Sequence, residues 1–436
     1  MPRLTTRLTC ALLLTAAVPA QQALAQTARG SLASAAGQTG DLFARDRVVA
    51  VRDRPRPDYE ALGVPFGTFM AYPRVQLDAE YNDNIFAVAT GADDDWIVRI
   101  KPEVSLESGW SRHSLGAYAR GTISRYQDFD GENSEDYGVG AAGRLDITRA
   151  ANLAAGADYA SLTEPRTSSN APASTVEPIS YSLASGYLAG SRVSGRVKLS
   201  GRGDIRTYDY EDGVTLTGVE IDQDNRDRTV TSLSGRGDYA ISPATALFVQ
   251  ATANSRDYDT ATSLLLPARD SDGYEILAGA NFEIGALSRG EIAVGYINQE
   301  FDEAVYSKID GFGARAQVEW FPTQLTTVTA TGSRTIEDSG IAGSGGYLSS
   351  AVGLAVDHEL MRNVLLNAGV TFSRDQYEGL DREDERLQAS VGGTYLMNRT
   401  LGISLAASRF EQTSDGVAGG VDFEVNRLTL SLVAQF

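Results

Sequence analysis

From Tyr72 to Phe436 the sequence repeats one pattern: short segments in which apolar or small residues alternate with polar ones, separated by turn-forming residues. A strand sends successive side chains to opposite faces, so each segment becomes a ribbon with one greasy face and one wet face. From Arg192 to Tyr208, Val193, Gly195, Val197, Leu199, Gly201, Gly203 and Ile205 share one parity. Arg192, Ser194, Arg196, Lys198, Ser200, Arg202, Asp204 and Arg206 share the other. Wound as a helix, the same stretch would scatter charge round its whole circumference, so it reads as strand. Trp96, Val98, Ile100, Val104 and Leu106 oppose Arg99, Lys101 and Glu103 in the same way, and Phe312, Ala314, Ala316, Val318 and Trp320 oppose Arg315, Gln317 and Glu319.

About eighteen such segments follow one another, an even number as in bacterial outer-membrane barrels. Their connections alternate in length. Short ones at Gly109–Arg112, Thr148–Asn152, Ser191–Arg192, Ser242–Ala244, Gly285–Ser288, Phe321–Thr323, Glu359–Asn363 and Met397–Arg399 interleave with longer, acidic, Gly- and Ser-rich ones such as 163–178, 209–227, 257–272 and 411–422. Short periplasmic turns and long outer loops are the usual asymmetry of such barrels. The expected fold is all-β: a transmembrane, antiparallel, up-and-down β-barrel of roughly 16–18 strands. A sandwich or propeller would need several domains or a fixed repeat, and neither is visible.

Hydrophobic residues make up 42% of the chain, which suits a soluble protein. It suits a barrel equally, because only one face of each strand must be apolar. No segment is long and apolar enough for a helical span, so membrane residence demands a closed sheet. The first residues read as a secretory signal, with Arg3 and Arg7, an apolar run from Cys10 to Val18, and a small-residue site at Ala23-Leu24-Ala25. Residues 1–25 are therefore expected to be removed, 26–70 to form a flexible periplasmic arm, and 71–436 to form the barrel. The single cysteine, Cys10, lies within the signal, which leaves no disulfide chemistry. The net charge of −19 argues against nucleic acid as a partner. The closing segment places Leu428, Leu430, Leu432, Ala434 and Phe436 on one face, as expected of a signal for the barrel-assembly machinery. Outer-membrane lipid and lipopolysaccharide would surround the wall.

A barrel this wide cannot fill its interior with side chains, so its inner face is the functional question. Arg99, Lys101, Arg120, Arg144, Arg196, Lys198, Arg202, Arg206 and Arg236 fall on the inward parity as a basic wall. Asp78, Glu80, Asp158, Glu275, Glu283 and Glu319 supply an acidic counterpart. Opposed walls of this kind set a transverse field that selects solutes or guides a polymer. The alternative is that these charges pair across strands and stay hydrated. Tyr118, Tyr126 and Phe248 also fall inward, where they could stack on sugar rings or simply pack. Trp96, Tyr137, Tyr159, Tyr181, Tyr274, Trp320 and Phe372 are expected outside, as interfacial girdles.

Catalysis finds little support. His113 and His358 lie on the outward parity near strand ends, and Gly343-Ser344-Gly345 lacks a nucleophile-elbow framework. The segment Asp222-Gln223-Asp224-Asn225-Arg226-Asp227 lacks the glycine and terminal glutamate of a calcium loop. No cofactor or metal is expected.

One string carries a family resemblance: Arg54-Pro55-Arg56-Pro57-Asp58-Tyr59, Leu62-Gly63, Tyr72-Pro73, and Tyr81-Asn82-Asp83-Asn84-Ile85-Phe86. It resembles the start of the Putative beta-barrel porin 2 family, outer-membrane barrels often encoded with exopolysaccharide synthesis and export genes. The ending Val433-Ala434-Gln435-Phe436 departs from the expected second aromatic. The resemblance implies a barrel that lets a polysaccharide cross the outer membrane, with a periplasmic polysaccharide export protein as partner. Arg54, Arg56, Asp58 and Tyr59 are then candidates for periplasmic docking, or for a partial plug. Three readings stay open: a pore for a polymer or small polar solutes, a structural component with a closed lumen, and, remotely, a lipid-modifying enzyme.

Overall fold

In the computed structural model, residues 49–171, 175–215, 217–263 and 266–436 are described; the expected signal lies outside them. Nearly all of the regular structure among these residues is antiparallel strand. The long strands are β2 (Phe69–Asn82), β3 (Asp95–Ser108), β4 (Ser114–Tyr126), β5 (Ser134–Thr148), β6 (Ala151–Thr163), β7 (Ser180–Ser194) and β8 (Val197–Tyr210). After a loop come β11 (Arg228–Ser242), β12 (Thr245–Tyr258), β13 (Ser271–Ile284), β14 (Ser288–Phe301), β15 (Ile309–Thr323), β16 (Thr326–Asp338), β17 (Gly346–Met361), β18 (Val364–Tyr377), β19 (Glu383–Leu396), β20 (Leu401–Asp415) and β21 (Phe423–Gln435). Each pairs with its sequence neighbour, and β2 pairs with β21 from Arg74↔Gln435 to Asn82↔Arg427, which closes an 18-strand barrel. Closure leaves no open edge among these strands, the condition for a sheet to sit in lipid. A short strand, β1 (Val64–Phe66), adds to the start of β2 where β21 no longer reaches. A hairpin of β9 (Gly213–Val214) and β10 (Glu220–Ile221) decorates one loop.

The alternation decides which face meets what. Leu188, Leu199, Leu233 and Val352 point outward and are 60–67% exposed, while Asp78, Glu80, Arg99 and Lys198 point inward and are at most 6% exposed. Among the described residues no helix is long and apolar enough to cross a membrane; the crossing is made by strands. Leu428, Leu430, Leu432 and Phe436 all lie on the outer face.

The connections separate two ends. At the turn end, which faces the periplasm in this architecture, two residues suffice between β11 and β12, Pro243 and Ala244. At the loop end, segments such as 164–179 and 211–227 intervene. Two expected turns lie elsewhere. Phe321, Pro322 and Thr323 belong to β15, and that reversal is made by Gln324 and Leu325. Ser191 and Arg192 belong to β7, and the reversal is made by Gly195 and Arg196. Gly195 has φ +59, the left-handed conformation that two-residue hairpins require and glycine adopts without steric cost. The alternation runs unbroken through this turn, so two strands read as one. Tyr181 is also displaced from its expected outward position. It faces the lumen at the loop end and stacks on Tyr210, ring centroids 4.9 Å apart.

Candidate transport lumen

The inner wall is built by parity. On β8, β11 and β12 the inward positions carry Lys198, Arg202, Arg206, Arg228, Arg236 and Arg256, against Asp204 and Asp238 alone. Across the ring, the inward positions of β17, β18 and β19 carry Asp357, Glu359, Asp375 and Asp384, against Arg386 alone. Excess positive charge thus faces excess negative charge across the lumen, a field transverse to the axis.

Within each wall, many charges are paired. Lys101 Nζ lies 2.7 Å from Asp78, and Arg99 2.9 Å from Glu80. Arg144 meets Asp146 at 2.9 Å, and Arg202 meets Asp204 at 2.6 Å. Arg236 holds both Asp238 and Glu291 at 2.8 Å. Glu275 faces Arg315 at 3.6 Å, and Glu319 faces Arg289 at 2.5 Å. The acidic residues expected as a separate wall therefore include close partners of the basic ones. β2 lies in register beside β3, so Asp78 and Glu80 sit next to Arg99 and Lys101. Arg206 and Arg120 have no carboxylate within ion-pair distance among the described residues; Arg120 lies over the Tyr118 ring at 5.4 Å. Arg196 is a correction. It occupies the β7–β8 turn rather than the lumen wall, because the chain reverses at that point.

Inward aromatics lie flat against the wall instead of reaching across. Tyr118 is directly opposite Gly140, Tyr187 opposite Gly156, and Phe248 opposite Gly279. A Cβ added at Gly140 or Gly156 would stand 2.5 Å from the facing tyrosine ring. Only glycine lets the ring settle on the neighbouring backbone, a cross-strand arrangement that covers an otherwise bare site. Arginines then stack on the exposed ring faces: Arg202 lies 4.1 Å from the Tyr187 centroid, Arg228 4.3 Å from Tyr208, and Arg236 3.6 Å from Phe248. Tyr118 also donates to Asp158 Oδ1 at 2.7 Å.

Chain crosses both ends of the lumen. At the loop end, Asp338 accepts from Arg228 at 3.0 Å and from Arg256 at 2.6 Å, although β16 lies well round the ring from β11 and β12. Arg269, 1% exposed, donates to the carbonyls of Ser339 and Asn225. Asn170, in the β6–β7 loop, accepts from the Gly340 amide at 2.9 Å, joining loops that rise from nearly opposite sides. Arg226 and Arg166 fasten neighbouring loops through Glu164 and Glu132.

At the turn end the cover is the N-terminal arm. Val51, 2% exposed, donates its amide to Thr327 Oγ1 at 2.9 Å. Arg52 binds Asp357 at 2.6 Å, and Arg54 and Arg56 bind Glu359 at 2.8 and 3.1 Å. Burial pulls the Arg56 pKa below its ordinary value even though Glu359 acts against it, and burial raises that of the Asp53 carboxyl. Arg54 and Arg56, expected as docking residues, thus face the barrel's own carboxylates. Asp58 stays exposed, with Arg399 4.0 Å away, and the Tyr59 carbonyl accepts from Gln435 at 3.0 Å. Arg228, Arg256, Tyr187, Tyr208, Asp357 and Glu359 were not expected in the lumen. Carrying the parity count to each strand's ends, and along β7 for Tyr187, would have found them; the loop contacts of Asp338 have no such signal.

No curated protein matches the chain. Its outline is similar to solved structures from Pseudomonas aeruginosa. OpdO shares 16% identity with a TM-score of 0.45 and covers 84% of this chain and 97% of its own. OccK2 (OpdF) shares 9% with a TM-score of 0.46, covering 84% and 98%. The outer membrane protein OpdK shares 12% with a TM-score of 0.43, covering 84% and 99%. The family model described as Putative beta-barrel porin 2 matches residues 56–436, nearly the whole described chain. The chain belongs to that family, and is an outer-membrane β-barrel of porin type.

Proposed function

We propose that this barrel is an outer-membrane channel for polar solutes, with an acidic exopolysaccharide chain as its foremost cargo. One observation carries the reading: arginines stacked on lumen tyrosines of β7 and β8, beside a wall of β8, β11 and β12 that has six cations and two carboxylates. Sugar rings pack on aromatic faces, and sugar carboxylates pair with guanidinium groups. A surface that offers both along several strands suits a sliding polymer better than a tightly held ligand. In planar bilayers the purified barrel is expected to conduct with preference for anions. A uronic-acid oligosaccharide should reduce the current at lower concentration than a neutral one of equal length. Replacing Arg202 and Arg206 together by alanine should abolish that difference. Cation preference, or equal reduction by both oligosaccharides, would refute the reading. The covered mouths favour a second one: a closed barrel serving as a structural part of a polysaccharide machine, which would show no conductance at all.

A further inference from the structure

The turn-end mouth holds a length of chain that is not part of the wall. Residues 49–60 run beneath the barrel from β1 toward β16 and β17, and bury Ala50 and Val51 at 0% and 2% exposure. Apart from Val51, this segment is tied to the barrel chiefly by charge. Arg52, Arg54 and Arg56 converge on Asp357 and Glu359, inward residues of β17, and the Glu359 side chain is 4% exposed. Its backbone adds no ladder to the barrel. Asp53 bonds to Ala50 and Tyr59 to Arg56, within the segment itself. Pro55 and Pro57 stiffen it, since proline fixes φ. Gly63, with φ +77, joins it to β1. A stiff rod on a glycine joint, held at its far end by ion pairs, can leave without disturbing a single strand pairing. Its departure would bare two carboxylates and widen the mouth.

We propose that residues 49–60 are a latched plug of the lumen, with Glu359 as the catch, and that solute passage requires the latch to open. The proposal rests on the channel reading and adds its regulation. A test uses the full chain with Val51→Cys and Thr327→Cys together. The chain's single natural cysteine, Cys10, lies in the expected signal. Oxidation should join the two positions, read as a mobility shift and by mass spectrometry. In bilayers the oxidised form should stay closed, and reductant should restore current in the same molecules, which controls for folding. Separately, Glu359→Gln should raise the open fraction about tenfold, as losing one catch would shift a two-state equilibrium. If the cysteines do not join, the arm is not seated and the plug is refuted. If they join and current is equal before and after reduction, the plug is refuted while the channel stands. If they join and no current flows in any form, Glu359→Gln included, both ideas fall.

Discussion

Tyr187 rests on Gly156 because glycine has no side chain to hold the ring away. The contact sets how far a lumen tyrosine projects, and with it the position of Arg202 stacked above. Gly156→Val should push the Tyr187 ring off the wall and into the lumen while leaving the outer face untouched. The expected result is a barrel that still assembles but has smaller single-channel conductance and weaker block by an acidic oligosaccharide. Unchanged conductance would show that the ring finds another resting place. At this scale the sequence was half readable. Parity puts Tyr118 and Phe248 inward, but that each lies over a glycine depends on which residue of the next strand stands opposite. Register is set by turn lengths, and a shift of one residue changes every pair.

Among the elements, the β7–β8 hairpin shows where periodicity stops being informative. Val193 and Val197 share a parity across the turn, so two strands of opposite direction look like one long strand. The distinguishing residue is Gly195 with its positive φ. Gly195→Val places a β-branched side chain in that conformation and should cost about 1–2 kcal/mol. The expected signature is a lower urea midpoint for the barrel refolded in detergent, with Arg196→Val as the milder control. The strands themselves were legible because each needs one greasy face, and a two-residue period recurs too often for chance. Arg196 was misplaced for the same reason: a two-residue turn does not interrupt the parity count.

For the whole molecule, the decisive features are the covers at both mouths, and these were the least legible. Asp338 meets Arg228 and Arg256 from far along the chain, and no local pattern announces such a contact. Arg54 and Arg56 were visible as a basic, proline-rich arm, but not their turn inward to Glu359. The loop-end cover makes its own prediction. Asp338→Asn removes the charge that holds two arginines of β11 and β12, leaving them half-buried without their carboxylate. The cover should loosen, and buried Arg269 should become a trypsin site in the detergent-solubilised protein. Persistent resistance at Arg269 would mean that Asn225 and the Ser339 carbonyl hold the cover unaided.

The pairing of β2 with β21 has a consequence for the protein's birth. The first long strand to emerge during synthesis finds one of its two neighbours only when the last has been made. Until then a growing ribbon keeps two bare borders, each able to capture a foreign strand. Assembly must therefore wait for completion, and the seam where beginning meets end is the place where an unfinished cylinder would stick to its neighbours.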